Sequence, residues 1–205
     1  MIKDIVFDMG QVLIKFDPAL LVARTGAVGE DAELLMTELM HSAEWVLLDR
    51  GAISFEQAQE NVCRRLPEHL HQAAHDIIYG WWRPGRDRID GMDELVHELK
   101  ANGYSIYLLS NAALSLHEYI HTLPGYDCFS GTLISADHKL LKPQHEIYEK
   151  LYSMYELDPS ECLFIDDSPA NIAGAMVTGM NGIIFRGSAE RLRREMKQLG
   201  IRIET

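Results

Sequence analysis

The sequence predicts an α/β fold, a doubly wound parallel sheet with an α-helical bundle inserted after the first strand. Three observations carry this. Five short apolar runs show no polar alternation, which is the pattern of strands covered on both faces. Amphipathic helical patterns separate most of these runs, and strands alternating with helices build parallel sheets. Between the first run and the second, about 70 residues read as helix after helix with no convincing strand.

In chain order, Asp4-Ile5-Val6-Phe7-Asp8 forms the first strand, a run that ends on an acid. The pattern changes at Asp17-Pro18, an N-cap followed by proline at the first helical position. Ser54-Phe55-Glu56-Gln57 is a capping box that opens another helix, and Arg83-Pro84-Gly85 breaks the last helix of the insert. The chain thus divides into a core of residues 1–16 and 86–205 and a helical insert of residues 17–85. In the core, a helix over Met92–Ala101 places apolar residues at 92, 95, 96 and 99, and Gly103 closes it as a left-handed cap. Further strands follow at Ile106–Leu109, Gly131–Ile134, Cys162–Ile165 and Gly182–Phe185. The remaining helices are Gln144–Tyr155, Pro169–Thr178 and Ala189–Leu199, the last capped by Ser188 and ended by Gly200.

The 205 residues suit one domain carrying a smaller insert. With 19 Lys+Arg against 31 Asp+Glu, the formal charge is −12. A chain this acidic lacks the clustered cations that nucleic acid or an anionic membrane surface requires, so neither is expected as a partner. Cys63, Cys128 and Cys162 show no metal-ligand or redox spacing and read as reduced thiols, which points to a cytoplasmic setting. The opening MIKDIVFDMG carries charges within its apolar stretch and is no signal peptide, and no run approaches the roughly 20 apolar residues of a membrane span. An anionic ligand must therefore meet a local cationic or metal-loaded pocket.

The polar residues that could build one sit at strand ends. Asp8 ends the first strand, Ser110-Asn111 the second, and Asp166-Asp167-Ser168 the one before the Pro169 helix. A parallel sheet brings all three groups to one edge. Lys142-Pro143 precedes a helix, with Pro143 suited to its first turn, and that loop brings Lys142 to the same edge. Asp8, Asp166 and Asp167 cannot crowd together unpaired, because like charges raise one another's pKa. A hard cation with oxygen ligands resolves this, and Mg²⁺, which takes one or two carboxylates together with a substrate phosphate, fits best. A lysine beside such a site neutralises a phosphoryl group. Ser110 and the backbone N–H groups after it offer donors to phosphate oxygens. A carboxylate left partly free by the metal can attack phosphorus.

These residues resemble a known family. Phe7-Asp8-Met9-Gly10-Gln11-Val12 is similar to the first motif of the haloacid dehalogenase-like hydrolases, Leu109-Ser110-Asn111 to the second and Lys142-Pro143 to the third. Ile165-Asp166-Asp167-Ser168-Pro169-Ala170-Asn171-Ile172 is similar to the fourth. The resemblance implies a Rossmann-like hydrolase core, a helical-bundle cap formed by the insert, Mg²⁺, and hydrolysis of a small phosphorylated metabolite through an aspartyl-phosphate. Carried over by position, Asp8 is nucleophile and metal ligand, the Gly10 carbonyl a second ligand, and Asp166 and Asp167 the remaining ones. Ser110, Asn111 and Lys142 hold phosphate, and Lys142 also takes part in catalysis.

One position departs from the pattern. The family's phosphatases usually carry an aspartate two residues after the nucleophile, as general acid and then base, and here that residue is Gly10. General acid–base catalysis contributes roughly 10²–10⁴-fold. Three readings stay open. The protein is slow or inactive; another residue, Asp17 or one in the cap, supplies the proton; or the leaving group needs little protonation. The last is consistent with a resemblance to the α-D-glucose-1-phosphate phosphatases, which share an Asp-x-Gly-x-Val context. A 2-haloacid dehalogenase is the nearest rival, but it needs no metal and leaves the acidic pair unexplained. A phosphate- or partner-binding protein without turnover is the rival from another class. His71 and His75, like His117 and His121, have helical zinc-pair spacing but no third ligand nearby in sequence. Trp45, Trp81 and Trp82 are expected to pack the bundle, with Arg83 near the hinge.

Overall fold

The computed structural model describes residues 1–80 and 87–203. Its centre is a sheet of five parallel strands: β1 Asp4–Phe7, β2 Ser105–Ser110, β3 Phe129–Ile134, β4 Cys162–Asp166 and β5 Asn181–Ile184. Their spatial order is β3-β2-β1-β4-β5, so β1 lies in the middle and is hydrogen-bonded to β2 and β4. All five expected strands form, with ends moved by one or two residues. The absence of polar alternation has a direct cause. Ile5, Phe7, Ile106 and Leu108 enter the core on one face, while Val6, Tyr107, Leu109 and Phe164 enter the core on the other. Both faces are covered by helices, so both sets of alternating side chains must be apolar.

Helices α6 (Met92–Ala101) and α11 (Ala189–Gln198) pack on the first face, and α9 (His145–Tyr155) and α10 (Pro169–Val177) on the second. Two single-turn helices, α7 (Leu116–Tyr119) and α8 (Ser135–His138), follow β2 and β3. Gly103 takes the expected left-handed conformation, φ 90°, after α6. Ser188 caps α11 by accepting from the Arg191 N–H at 3.3 Å.

The segment after β1 is helical throughout its described part. It contains α1 (Pro18–Arg24), α2 (Glu30–Leu35) continued by a π-helical turn (Met36–Met40), α3 (Ala43–Asp49), α4 (Phe55–Cys63) and α5 (His71–Gly80). Its own apolar cluster includes Leu21, Leu35, Leu39, Val62 and Ile78. Both expected caps are present. Asp17 Oδ1 accepts from the N–H groups of Ala19 (2.9 Å) and Leu20 (3.2 Å). Ser54 and Gln57 exchange side-chain and backbone bonds at 3.2 and 2.9 Å. The break expected at Arg83-Pro84-Gly85 lies outside the described residues, as does the boundary at residue 86.

One local expectation is corrected. Pro143 is not in the first turn of α9, which starts at His145 with Gln144 as its N-cap, and the Lys142-Pro143 peptide is cis. The loop folds back instead, because the Asn111 side chain holds both backbone groups of Lys142 and Gln144 Oε1 accepts from the Leu141 N–H at 3.0 Å. Among the described residues, no helix is long and apolar enough to cross a membrane.

The helical segment meets the sheet at one corner. Asp49 ends α3, and residues 49–51 rest on α8. Gly51 has φ +67°, and a Cβ there would lie 2.3 Å from the Ala136 carbonyl oxygen, so both the conformation and the space require glycine. Ser135 Oγ donates to the Asp49 carbonyl and accepts from the Ala112 N–H at 2.9 Å. Arg50 Nε donates to the Lys139 carbonyl at 3.2 Å.

Candidate active site

The carboxyl edge of the sheet gathers every core residue anticipated from the sequence. Asp8 and Ser110 stand more than 100 positions apart in the chain. They are brought together because Phe7 pairs with Leu108 and Ile165 in the β1 ladders. The Asp8 N–H donates to the Ile165 carbonyl at 2.9 Å, which fixes the backbone of the acid as it leaves the strand. Asp166 ends β4 with its side chain fully buried.

Lys142 arrives from the loop between α8 and α9. Its ammonium is 1% exposed and has three acceptors: Asp8 Oδ1 at 2.7 Å, Asp166 Oδ2 at 2.7 Å and the Leu109 carbonyl at 3.0 Å. An ammonium has three hydrogens, so its donors are fully used. Burial alone would lower the Lys142 pKa, but the two carboxylates outweigh it and hold the side chain charged. Burial pushes the Asp8 carboxyl up against the pull of Lys142, and the charge of Asp166 adds to the rise. Asp166 is also bound by Asn171 Nδ2, at 3.1 and 3.0 Å to its two oxygens, and by the Ser168 N–H at 2.8 Å. Asp167 is exposed, and its carboxyl is raised by partial burial and by Asp166.

Carboxylate oxygens of Asp8, Asp166 and Asp167 lie within 4.8 Å of one another. One lysine cannot neutralise three carboxylates, and an all-oxygen donor set suits a hard divalent cation. The Gly10 carbonyl has no backbone donor among the described residues, so it is open to a further ligand role. The residues present therefore fit Mg²⁺. Ser110 Oγ is buried and has no hydrogen-bond partner among the described residues, an arrangement that costs free energy unless a ligand satisfies it. Asn111, expected to hold phosphate, lines the cavity beside Asp8 and is also engaged with Lys142. Its Nδ2 donates to the Lys142 carbonyl at 3.0 Å and its Oδ1 accepts from the Lys142 N–H at 2.8 Å.

Over this edge lies a cavity with a mostly apolar wall. Phe16, Trp45, Phe55, Ile78 and Tyr119 line it together with Asp8, Gly10 and Asp49. Trp45 both packs against the helical cluster and faces this cavity, with its ring 5.8 Å from that of Phe16. Trp81, Trp82 and Arg83 lie outside the described residues. Asp17 is not at the cavity and serves as the cap of α1. Neither histidine pair belongs to a ligand cluster among the described residues. His71 is bonded to the Leu66 carbonyl at 3.1 Å, and His117 to Asp137 at 3.0 Å.

Three contributors were not assigned roles from the sequence. Asn171 lies inside the fourth motif, in the first turn of α10, from which its side chain reaches back to Asp166. Ser135 is one polar residue after an apolar strand, with nothing around it to single it out. Asp49 ends α3 and lines the cavity. The surrounding protein desolvates its carboxyl, which pushes its pKa up to about 8 against the pull of the Ala113 N–H that it accepts. Its one sequence signal is Gly51, two residues on, which marks the corner.

Known proteins with the same features are recognisable at this point. A curated relative from Arabidopsis thaliana, a chloroplast flavin mononucleotide hydrolase, is 26% identical over 82% of this chain and 66% of its own length. A sesquiterpene phosphatase from Aspergillus oryzae is 27% identical over 88% of each chain. The crystal structure of a HAD family enzyme from Bacteroides thetaiotaomicron, in complex with magnesium and inorganic phosphate, superimposes with a TM-score of 0.70. It is 21% identical, with 94% of this chain and 99% of that one covered, and so shares the fold. The model of the haloacid dehalogenase-like hydrolases matches residues 2–177, which contain β1, the helical segment and all four motifs at the sheet edge, and the chain belongs to that family.

Proposed function

We propose that the protein is a Mg²⁺-dependent phosphatase that hydrolyses a small phosphorylated metabolite through an aspartyl-phosphate on Asp8. The observation that carries this reading is the cluster of Asp8, Asp166 and Asp167 around a single buried lysine, beside the unpartnered Ser110 hydroxyl. Asp8, the Gly10 carbonyl, Asp166 and Asp167 would hold the ion. When bound, it offsets the repulsion among the carboxylates and draws charge from the phosphoryl oxygens. Asp8 attacks phosphorus, expels the alcohol, and is released when water hydrolyses the acyl phosphate. Lys142 favours the ionised form of the nucleophile against burial and places it, and its charge lowers the cost of bringing a dianion to this acidic edge. Ser110 donates to a phosphoryl oxygen. Asn111 sets the height of Lys142 by clamping its backbone. Residues 17–85 act as the cap, closing over the edge to exclude water and select the leaving group.

The cavity wall supports a largely apolar leaving group. Aromatic and aliphatic side chains dominate it, whereas a sugar hydroxyl array needs convergent polar partners. The two curated relatives are named for a flavin mononucleotide and a sesquiterpene, both with bulky organic parts. Gly10 favours a second reading, an anomeric sugar phosphate such as glucose-1-phosphate, whose alcohol leaves without much protonation. A screen of isoprenoid, aromatic and sugar phosphates with Mg²⁺ decides between them. Highest kcat/KM on apolar esters supports the first reading. Equal rates on glucose-1-phosphate and glucose-6-phosphate would sink the second. Activity that survives EDTA or Asp8→Asn refutes the mechanism.

A further inference from the structure

We propose that Asp49, at the end of α3 in the cap, is the general acid and then the general base of the reaction, doing from the helical side what no side chain at Gly10 can do. This rests on the phosphatase reading of Asp8. Among the described residues, Asp8 and Asp49 are the carboxyl side chains lining the cavity. Asp166 is committed to Lys142, Asn171 and Ser168, Asp167 belongs to the carboxylate cluster that would hold the ion, and Asp17, away from the cavity, caps α1. Asp49 also faces the site without ordinary loop freedom. The Ser135 hydroxyl holds its carbonyl, Arg50 is tied to Lys139, and Gly51 is pressed on Ala136. Ser135 belongs to the same sheet edge, so the acid is registered against the nucleophile by the core itself. The charged groups whose fields reach its carboxyl are Asp8 and Lys142, and burial pushes its pKa up to about 8, the direction a proton donor needs.

The proton balance is complete. In the first step the Asp8 oxygen bonds to phosphorus and the ester P–O bond breaks. Its electron pair goes to the leaving oxygen, which takes the proton of Asp49. In the second step a water oxygen bonds to phosphorus and the Asp8–phosphorus bond breaks, returning its electron pair to the Asp8 carboxylate. The proton of that water goes to Asp49, which restores the starting state. The sum is one ester plus one water giving one alcohol plus one phosphate.

The test compares Asp49→Asn with the unmodified protein on two esters of similar size in saturating Mg²⁺. One is 2-phenylethyl phosphate, whose alkoxide must be protonated. The other is p-nitrophenyl phosphate, whose phenolate leaves without help. Asparagine keeps the shape and polarity of the side chain, so a purely structural role would survive. The proposal expects kcat/KM on the alkyl ester to fall at least about 100-fold. On the aryl ester kcat/KM stays within a few-fold while kcat drops, since hydrolysis of the aspartyl-phosphate still lacks its base. An alkyl kcat/KM within threefold of the unmodified protein overturns it, and so does an equal loss on both esters. Asp8→Asn is run beside it. Activity that survives that substitution overturns the phosphatase reading itself, a result distinct from any pattern in Asp49→Asn.

Discussion

The two walls of the cavity are built on different physics. The sheet edge presents charged groups at strand ends and on the Lys142 loop, and Lys142 and Asp166 are each fixed by several hydrogen bonds or ion pairs and buried completely enough to have one arrangement. The helical wall presents apolar side chains that fill space, and one acid at a corner where, among the described residues, Ser135 and Lys139 of the core bond to Asp49 and Arg50. Chemistry that tolerates little displacement belongs on the first wall, and selection among leaving groups belongs on the second. The Asp49 corner is the exception, and it is also the place where the second wall borrows rigidity from the first.

The comparison breaks most visibly at Asp8. Asp8→Asn removes the nucleophile, and activity should fall by about 10⁴-fold or more while the fold persists. Lys142→Met comes next, and its effect reaches stability as well. It leaves Asp8 and Asp166 buried together without a cationic partner, and breaking a buried pair in this way costs about 3–5 kcal/mol. Urea unfolding in EDTA at neutral pH should show that loss. Added Mg²⁺ should recover more stability in Lys142→Met than in the unmodified protein, because a ligand that binds only the native state stabilises it. No greater recovery would mean that the carboxylates do not form a cation site.

The unequal legibility of the two walls follows from the same physics. Strands covered on both faces must be apolar at every position, so Ile5-Val6-Phe7 and Leu163-Phe164-Ile165 announced the sheet, and its topology placed Asp8, Ser110 and Asp166 at one edge. Lys142 was legible because it stands beside a proline in a motif, although the conformation of that loop was not. It depends on Asn111, 31 positions away, bonding to the Lys142 backbone. Asp49 was illegible for a similar reason. A single acid at a helix end is an ordinary solvated residue until contacts with Ala113 and Ser135, both far along the chain, enclose it. The caps at Asp17 and Ser54 were legible because all their partners lie within three residues.

Two glycines of similar backbone conformation sharpen the contrast. Gly51→Ala combines positive φ with a clash against the Ala136 carbonyl and should cost about 2–4 kcal/mol. It should also lower kcat, by displacing Asp49. Gly26, with φ +83°, has nothing within 4 Å of an added Cβ. Gly26→Ala should cost about 1 kcal/mol from backbone strain and leave kcat unchanged. If both variants affect kcat alike, the corner has no special role.

Asp49 also makes a signed prediction for stability. Its folded pKa of about 8 lies above the unfolded value, so the folded state binds the proton more tightly. Its contribution is fully present below the unfolded pKa and is lost as pH rises towards 8. Asp49→Asn has no proton to lose. In metal-free buffer, the Tm of the unmodified protein relative to that of Asp49→Asn should therefore fall between pH 5 and pH 8, by roughly 3–6 °C. A difference that is flat with pH would place the carboxyl in water rather than under protein.

The smallest effect belongs to the helical wall away from the corner. Ser54 caps α4 by accepting from the Gln57 N–H, while Gln57 returns a bond to the Ser54 N–H. Ser54→Ala leaves one of the orphan N–H groups of that helix to water and should cost about 1 kcal/mol. Because α4 packs on α3 and α5, hydrogen exchange should quicken in those helices before it changes in β1 or β4. The alkyl and aryl esters should lose no rate, since neither Ser54 nor Gln57 lines the cavity. A drop in kcat equal to that of Gly51→Ala would show that the whole helical segment, and not its one bonded corner, holds the proton donor in register with Asp8.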